Sequence, residues 1–164
     1  MLATTLLALG LVLCTVGSTG TSLQDEEESA DVYNNTYKVV RRKGYLYLMW
    51  HSSELEGKLT KCLRSYFLRK EKGVSHRTFE INEKQDGGNP SQQLKKNISI
   101  TVLPARAYAN LEAKCEDGTE ISPGWGGPHQ VLNATSKCIV VRAVVTNTYK
   151  SYCVVFGSKD HSEK

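Results

Sequence analysis

Short β-prone runs, broken at close intervals by turn residues, constrain this chain more than any other feature of it. The first run is Tyr45-Leu46-Tyr47-Leu48-Met49-Trp50, with Ser52, Ser53 and Gly57 behind it. Residues 61–69 then alternate Leu63, Ser65 and Phe67 with Cys62, Arg64, Tyr66 and Leu68, and Lys72-Gly73 is a turn signal. Residues 77–81 form a third run, Asp86-Gly87-Gly88-Asn89-Pro90 a turn, and residues 97–103 a fourth run stopped by Pro104. Runs at 108–115, 129–132, 138–145 and 152–156 complete the set, with a Gly- and Pro-rich loop at 122–128. β-branched and aromatic residues bounded by Gly, Pro, Asn and Asp read as strands. Short connections without long intervening helices favour antiparallel neighbours. Eight up-and-down strands can close into a barrel, which leaves no exposed edge. At that strand number the interior is just wide enough for side chains or for one small ligand. The pattern predicts an all-β fold, an eight-stranded antiparallel barrel.

The start of the chain places that barrel outside the cell. Residues 6–16 are uncharged and mostly apolar, and Gly17-Ser18-Thr19-Gly20 follows. Eleven residues are about half of the ~20 that span a bilayer, so the stretch reads as a secretory leader cut near residues 17–21. No later segment is apolar enough to serve as a membrane anchor. Four cysteines remain after the leader, Cys62, Cys115, Cys138 and Cys153, and in an oxidising compartment they read as two disulfides with three connectivities open. Sequons at Asn34, Asn97 and Asn133 are acceptor sites for glycans, and Pro90 excludes Asn89. The net charge of +4 gathers at Arg41-Arg42-Lys43, residues 58–64 and residues 69–72, and reads as a solvated basic surface. No nucleic-acid module is recognisable, so nucleic acid is not an expected partner.

The expected organisation is a signal peptide at 1–20, an acidic flexible arm at 21–30, the barrel domain at 31–157 and a polar tail at 158–164. The four consecutive acids Asp25-Glu26-Glu27-Glu28 read as a loose arm. Residues 31–43 read as a short helix, capped by Asp31 and ended by Gly44. A glycan on Asn97 must point outward, which turns Ile98, Ile100 and Val102 inward. In the next run Ala107, Ala109, Leu111, Ala113 and Cys115 share one face, the expected inner one, and Tyr108, Asn110, Glu112 and Lys114 the other.

Catalytic chemistry is not written in the sequence. His51, His76, His129 and His161 lack metal-ligand spacing, and no Cys-x-x-Cys pair occurs. Gly124-Trp125-Gly126-Gly127 lacks the Lys-Ser/Thr of a phosphate-cradling loop, and no local nucleophile signature emerges. The expectation is no enzyme, no metal and no cofactor.

From residue 31 to 156 the chain resembles the tick salivary lipocalins of the histamine-binding-protein family. The likeness is carried by the helix-like lead-in, by Tyr45-Leu46-Tyr47-Leu48-Met49-Trp50-His51-Ser52, by Lys61-Cys62-Leu63-Arg64, by Cys138-Ile139-Val140-Val141-Arg142 and by Cys153-Val154-Val155-Phe156. The resemblance implies a monomeric barrel with a ligand cavity, secreted into the feeding lesion, that blunts host defence by holding a small host mediator. Histamine, serotonin and lipid-derived signals are the implied guests, and host proteins are the alternative partners. It also implies a C-terminal helix after the eighth strand, with cysteines that pair back to the barrel. That helix is missing before Lys164. Cys138 with Cys153 and Cys62 with Cys115, or else Cys115 with Cys138, are then the pairings to consider.

Two positions depart from the family's amine-binding pattern, Cys-Asp-aliphatic followed by Glu-Leu-Trp/Tyr. Ile139 stands where the Asp would be, and Val154-Val155-Phe156 where Glu-Leu-Trp/Tyr would be. An ammonium guest needs a fixed anion, and losing one partner of a buried ion pair costs ~3–5 kcal/mol. Glu54, Glu80 and Glu112 are the acids that could substitute. An apolar guest with a carboxylate would instead suit Arg64 or Arg142 beside aromatic side chains. The expected ligand-binding residues are Trp50, Tyr66, Tyr108, Glu112, Arg142 and Phe156.

Overall fold

The computed structural model describes residues 23–55, 63–83, 92–105, 108–121, 128–145 and 150–159. Residues 1–22, where the leader is expected, Cys62, His161 and the loop carrying Trp125 lie outside them. A helix α1 (Leu23–Val40) precedes eight strands: β1 (Tyr45–His51), β2 (Arg64–Glu71), β3 (Val74–Glu83), β4 (Gln92–Pro104), β5 (Ala109–Cys115), β6 (Pro128–Ala134), β7 (Cys138–Val145) and β8 (Lys150–Gly157). Each strand pairs antiparallel with the next, and β8 pairs with β1 to close the barrel. The expected eight-stranded, lipocalin-like architecture with one N-terminal helix is therefore the observed one.

Local chemistry explains the junctions. Lys72 and Gly73 both have positive φ, 42° and 90°, and join β2 to β3 as a two-residue hairpin whose twist matches its strands. Alternation then sets the inner wall: Ile98, Ile100 and Val102 of β4, Ala109 and Leu111 of β5, and Ile139 and Val141 of β7 are buried. Asn97, between inward neighbours, is exposed, as are Asn34 and Asn133. Register shifts interrupt β1 between Leu48 and Trp50, β2 between Phe67 and Arg69, and β6 between Val131 and Asn133. An extra residue bends a strand and tightens its twist, which helps a sheet curl into a small barrel.

The helix differs from expectation at its start. It begins at Leu23 and takes in the acidic run that reads as a loose arm. Asp25 to Glu28 lie in the first turns, where carboxylates offset the positive end of the helix dipole. Val32, Thr36, Val39 and Val40 form its buried face, spaced at i, i+4, i+7 and i+8. Burying the three valines stabilises the contact by roughly 5 kcal/mol.

Chain direction fixes where that face goes. The β2–β3, β4–β5 and β6–β7 connections share one barrel end with the start of β1, into which α1 leads. The Ser29 hydroxyl donates to Ala105 O at 3.0 Å, Asn35 Nδ2 to Ala134 O, at the end of β6, at 3.2 Å, and Arg42 to Ser136 O at 3.3 Å, all at that barrel end. The helix closes that end.

Arg77 locks the closure. It is fully buried on the inner face of β3, and its five N–H groups all donate. Nε reaches Ser65 Oγ at 2.9 Å, one terminal nitrogen reaches Val40 O and Arg42 O, and the other Gly44 O and Ser65 O. The carbonyls of Val40, Arg42 and Gly44 are those that the helix end and its exit leave without helical partners, so a cation there also meets the negative end of the dipole. Burial pushes the Arg77 pKa down to about 10, which keeps the group cationic at neutral pH.

Candidate functional site

Between the strands lies a cavity of about 70 Å³. Val40 of α1 forms its floor, Ile98, Ile100, Leu111, Val141 and Phe156 are part of its wall, and Ile121 reaches in from beyond β5 on the opposite side. Sites for drug-sized ligands are typically ~300–1,000 Å³. The lumen is thus packed to a remnant in this state, and a guest of that size requires the wall or its cover to move. Ile121 covers the end opposite α1. It is buried, yet it belongs to a connection rather than a strand. The preceding turn is held by Asp117, which accepts from Thr119 N and Oγ1, and by Lys96, whose ammonium donates to Glu120 O.

The wall is apolar except at Arg64, Ser65 and His129. Ser65 Oγ and O both accept from Arg77. Arg64 Nε donates to Glu80 Oε2 at 2.7 Å, and Glu80 also accepts from Thr78 Oγ1 at 2.9 Å and lies 3.6 Å from Lys95 Nζ. Burial opposes the charged form of Glu80, but the bonds from Thr78 and Arg64 and the charges of Arg64 and Lys95 outweigh it and hold its pKa below the usual glutamate value. The bond to Glu80, working against burial, raises the Arg64 pKa. His129, nearly fully buried, sits on the inner face of β6 opposite Leu111. Its sequence position in an alternating run, with Val131 two residues on, was the signal that it faces inward; metal spacing was not.

Of the six residues expected from sequence, Phe156 lines the cavity and the other five do not. Trp50 is 54% exposed, because the register shift after Leu48 turns it away from the interior. Tyr66 is 42% exposed and packs its ring against Tyr45 on the outer face. Glu112 faces out and pairs with Lys114 at 3.0 Å. Arg142 is exposed and reaches Gln130 Oε1 at 3.4 Å, opposite it on β6. Tyr108 lies in the β4–β5 connection at the helix-closed end, half-buried, where its carbonyl accepts from Ala105 N. Phe67 stacks under Arg77, 5.8 Å from ring to guanidinium carbon. The cavity residues that sequence reasoning did not single out as a site include Ile98, Ile100, Leu111, Val141, His129 and Ile121.

The cysteines are also spread apart. Cys138 stands opposite Gly157 and Cys153 opposite Arg142, four positions along the same pair of strands. At ~3.4 Å per residue that offset is about twice the Cα separation a disulfide tolerates, so Cys138–Cys153 does not fit. Cys115 ends β5 at the barrel end remote from the start of β7, so Cys115–Cys138 does not fit either. Among the described residues Cys115, Cys138 and Cys153 form no disulfide with one another, and the expected Cys62–Cys115 pairing lies outside the described residues. No group of three or more His, Cys, Asp or Glu able to hold a metal occurs among the described residues.

Acids outside the lumen gather on α1, where Glu27, Glu28 and Asp31 border an open surface groove with Asn133. All three are exposed, so an ammonium meeting them stays hydrated and gains little.

An antiparallel eight-stranded ring with one helix across an end defines a lipocalin-like fold. No protein-family model matches the chain, and no curated protein matches it. Among solved structures it is similar to Japanin from Rhipicephalus appendiculatus bound to cholesterol, with a TM-score of 0.57 and 16% sequence identity over 73% of this chain and 76% of that one. At that identity the likeness is one of fold.

Proposed function

We propose that this protein is a secreted, non-catalytic lipocalin that sequesters a small, largely apolar host mediator in its lumen and so blunts host defence during blood feeding. The observation that carries this reading is the wall itself: among the described residues it contains no carboxylate, and apolar side chains dominate it. A biogenic amine would enter as an ammonium with no fixed anion to receive it, which disfavours the amine branch of the family resemblance. The neighbour's cholesterol supports the choice of a lipid-like guest. Leader, sequons and short size agree with export. The test is calorimetric titration of the glycosylated protein with histamine, serotonin, a fatty acid, a leukotriene and cholesterol. Saturable binding near one ligand per chain by an apolar member of that panel is expected; binding of histamine or serotonin alone would overturn the choice.

A second reading, a barrel that engages a host protein, rests on a specific surface. Met49, Trp50, Tyr66 and Leu68 are 52%, 54%, 42% and 40% exposed on neighbouring strands β1 and β2. Aromatic and Met side chains are enriched at interface cores. Silence across the whole ligand panel would favour this reading.

A further inference from the structure

The charged side chains of the described residues around the lumen narrow the guest further than "apolar". Arg77 is buried on the inner face of β3, whereas Arg64 and Glu80 alternate with the inward Leu63, Ser65 and Phe79 and so face outward, with the Arg64 guanidinium over the Tyr45 ring. Arg77 has spent all five donors on Ser65 and on the carbonyls of Val40, Arg42 and Gly44. Arg64 is committed to Glu80, and Glu80 to Arg64, Thr78 and Lys95. Arg142, the cation that sequence reasoning offered for a carboxylate, is outside the barrel. His129 brings a hydrogen-bonding ring to the wall and not a fixed ion. Val40 of α1 covers the floor, with Val39 buried beside it.

We propose that the lumen selects an uncharged guest, rejecting anionic as well as cationic versions of the same apolar body. The inference rests on the reading of the barrel as a ligand carrier and adds the charge class of the ligand. Its physical basis is that, among the described residues, a guest ion of either sign would have to draw Arg77 away from its carbonyls or remain unpaired at low dielectric.

The test uses three probes with one hydrocarbon chain: hexadecanol, palmitate and hexadecylamine, each displacing a neutral fluorescent lipid from the full mature protein at about pH 8, where a carboxylate and an alkylammonium both carry their charge. Hexadecanol should bind at least about tenfold more tightly than either ion. Equal affinities, or a ranking led by palmitate or hexadecylamine, would overturn the neutral-guest inference while leaving the carrier reading intact. Displacement by none of the three would remove both. His129→Glu places a carboxylate on the wall and should move hexadecylamine up by about tenfold relative to hexadecanol; an unchanged ranking in a folded variant counts against the lumen as the discriminating site. If that variant does not fold, the ranking of the native protein still decides.

Discussion

Replacing Arg77 by methionine is the sharpest probe of how the barrel is closed. Met roughly preserves the buried chain but deletes five N–H donors. Three of the acceptors keep another partner: Val40 O still receives the Ser75 hydroxyl, Gly44 O still receives Phe67 N, and Ser65 O keeps a ladder donor, Leu46 N opposite it on β1. Arg42 O and Ser65 Oγ lose the donor described for each, and a buried polar atom left bare costs ~1–3 kcal/mol. The desolvation of a cation is relieved at the same time, which offsets part of this. A net loss of about 3 kcal/mol is expected, or about 10 °C in Tm for a domain of this size. Urea unfolding followed by far-UV circular dichroism measures it, with Arg142→Met as a control of the same chemistry on an exposed residue. Arg77→Lys, with three donors instead of five, should fall between them. A loss for Arg77→Met within ~1 kcal/mol of the control would refute the reasoning that this guanidinium ties α1 and β1 to the sheet.

Further outcomes follow from the same geometry. Glu112→Ala, Tyr66→Ala and Arg142→Ala should each leave affinity for the identified guest within about twofold, whereas Phe156→Ala should change it severalfold; competition binding distinguishes the two groups. Ile121→Ala should enlarge the lumen and speed guest entry, measured as association rate by stopped-flow fluorescence, with no change expected if Ile121 does not obstruct the path. Glu80, with its folded pKa below the ordinary 4.5, stabilises the protein fully above that value and loses its contribution as pH falls through the folded pKa. Glu80→Gln should therefore be less stable than the native protein at pH 7, with the gap narrowing in acid; a gap independent of pH between about 7 and 3 would contradict the ion pair's role.

Strand number and order were readable because period-two runs and turn residues encode them locally. Lys72-Gly73 and the inward set Ile98, Ile100 and Val102 needed nothing more. Bulges are different: a single extra residue between Leu48 and Trp50 reverses the face of a tryptophan that plain alternation puts inside with Leu46. Glu112 and Arg142 were legible as outward from their alternating neighbours, but their chemistry was given more weight than their parity. Arg77 left a signal that was not used, an ion on the face shared by Phe79 and Ile81. What it binds was beyond local reading, because its acceptors lie 12 to 37 residues away. The acidic run looked solvated, and Glu27 and Glu28 are exposed; a solvated face does not prevent a run from starting a helix.

The pairing of Tyr47 with Gly157 has a consequence for how this molecule can exist at all. Seven of the eight sheet contacts join neighbours in sequence and can zip up as hairpins, while the eighth stitches residues 110 positions apart. Until that stitch is made, the first and last strands are both open templates for any other extended chain. Completing the circle removes them together, so solubility here is a property of the finished ring and belongs to none of its parts.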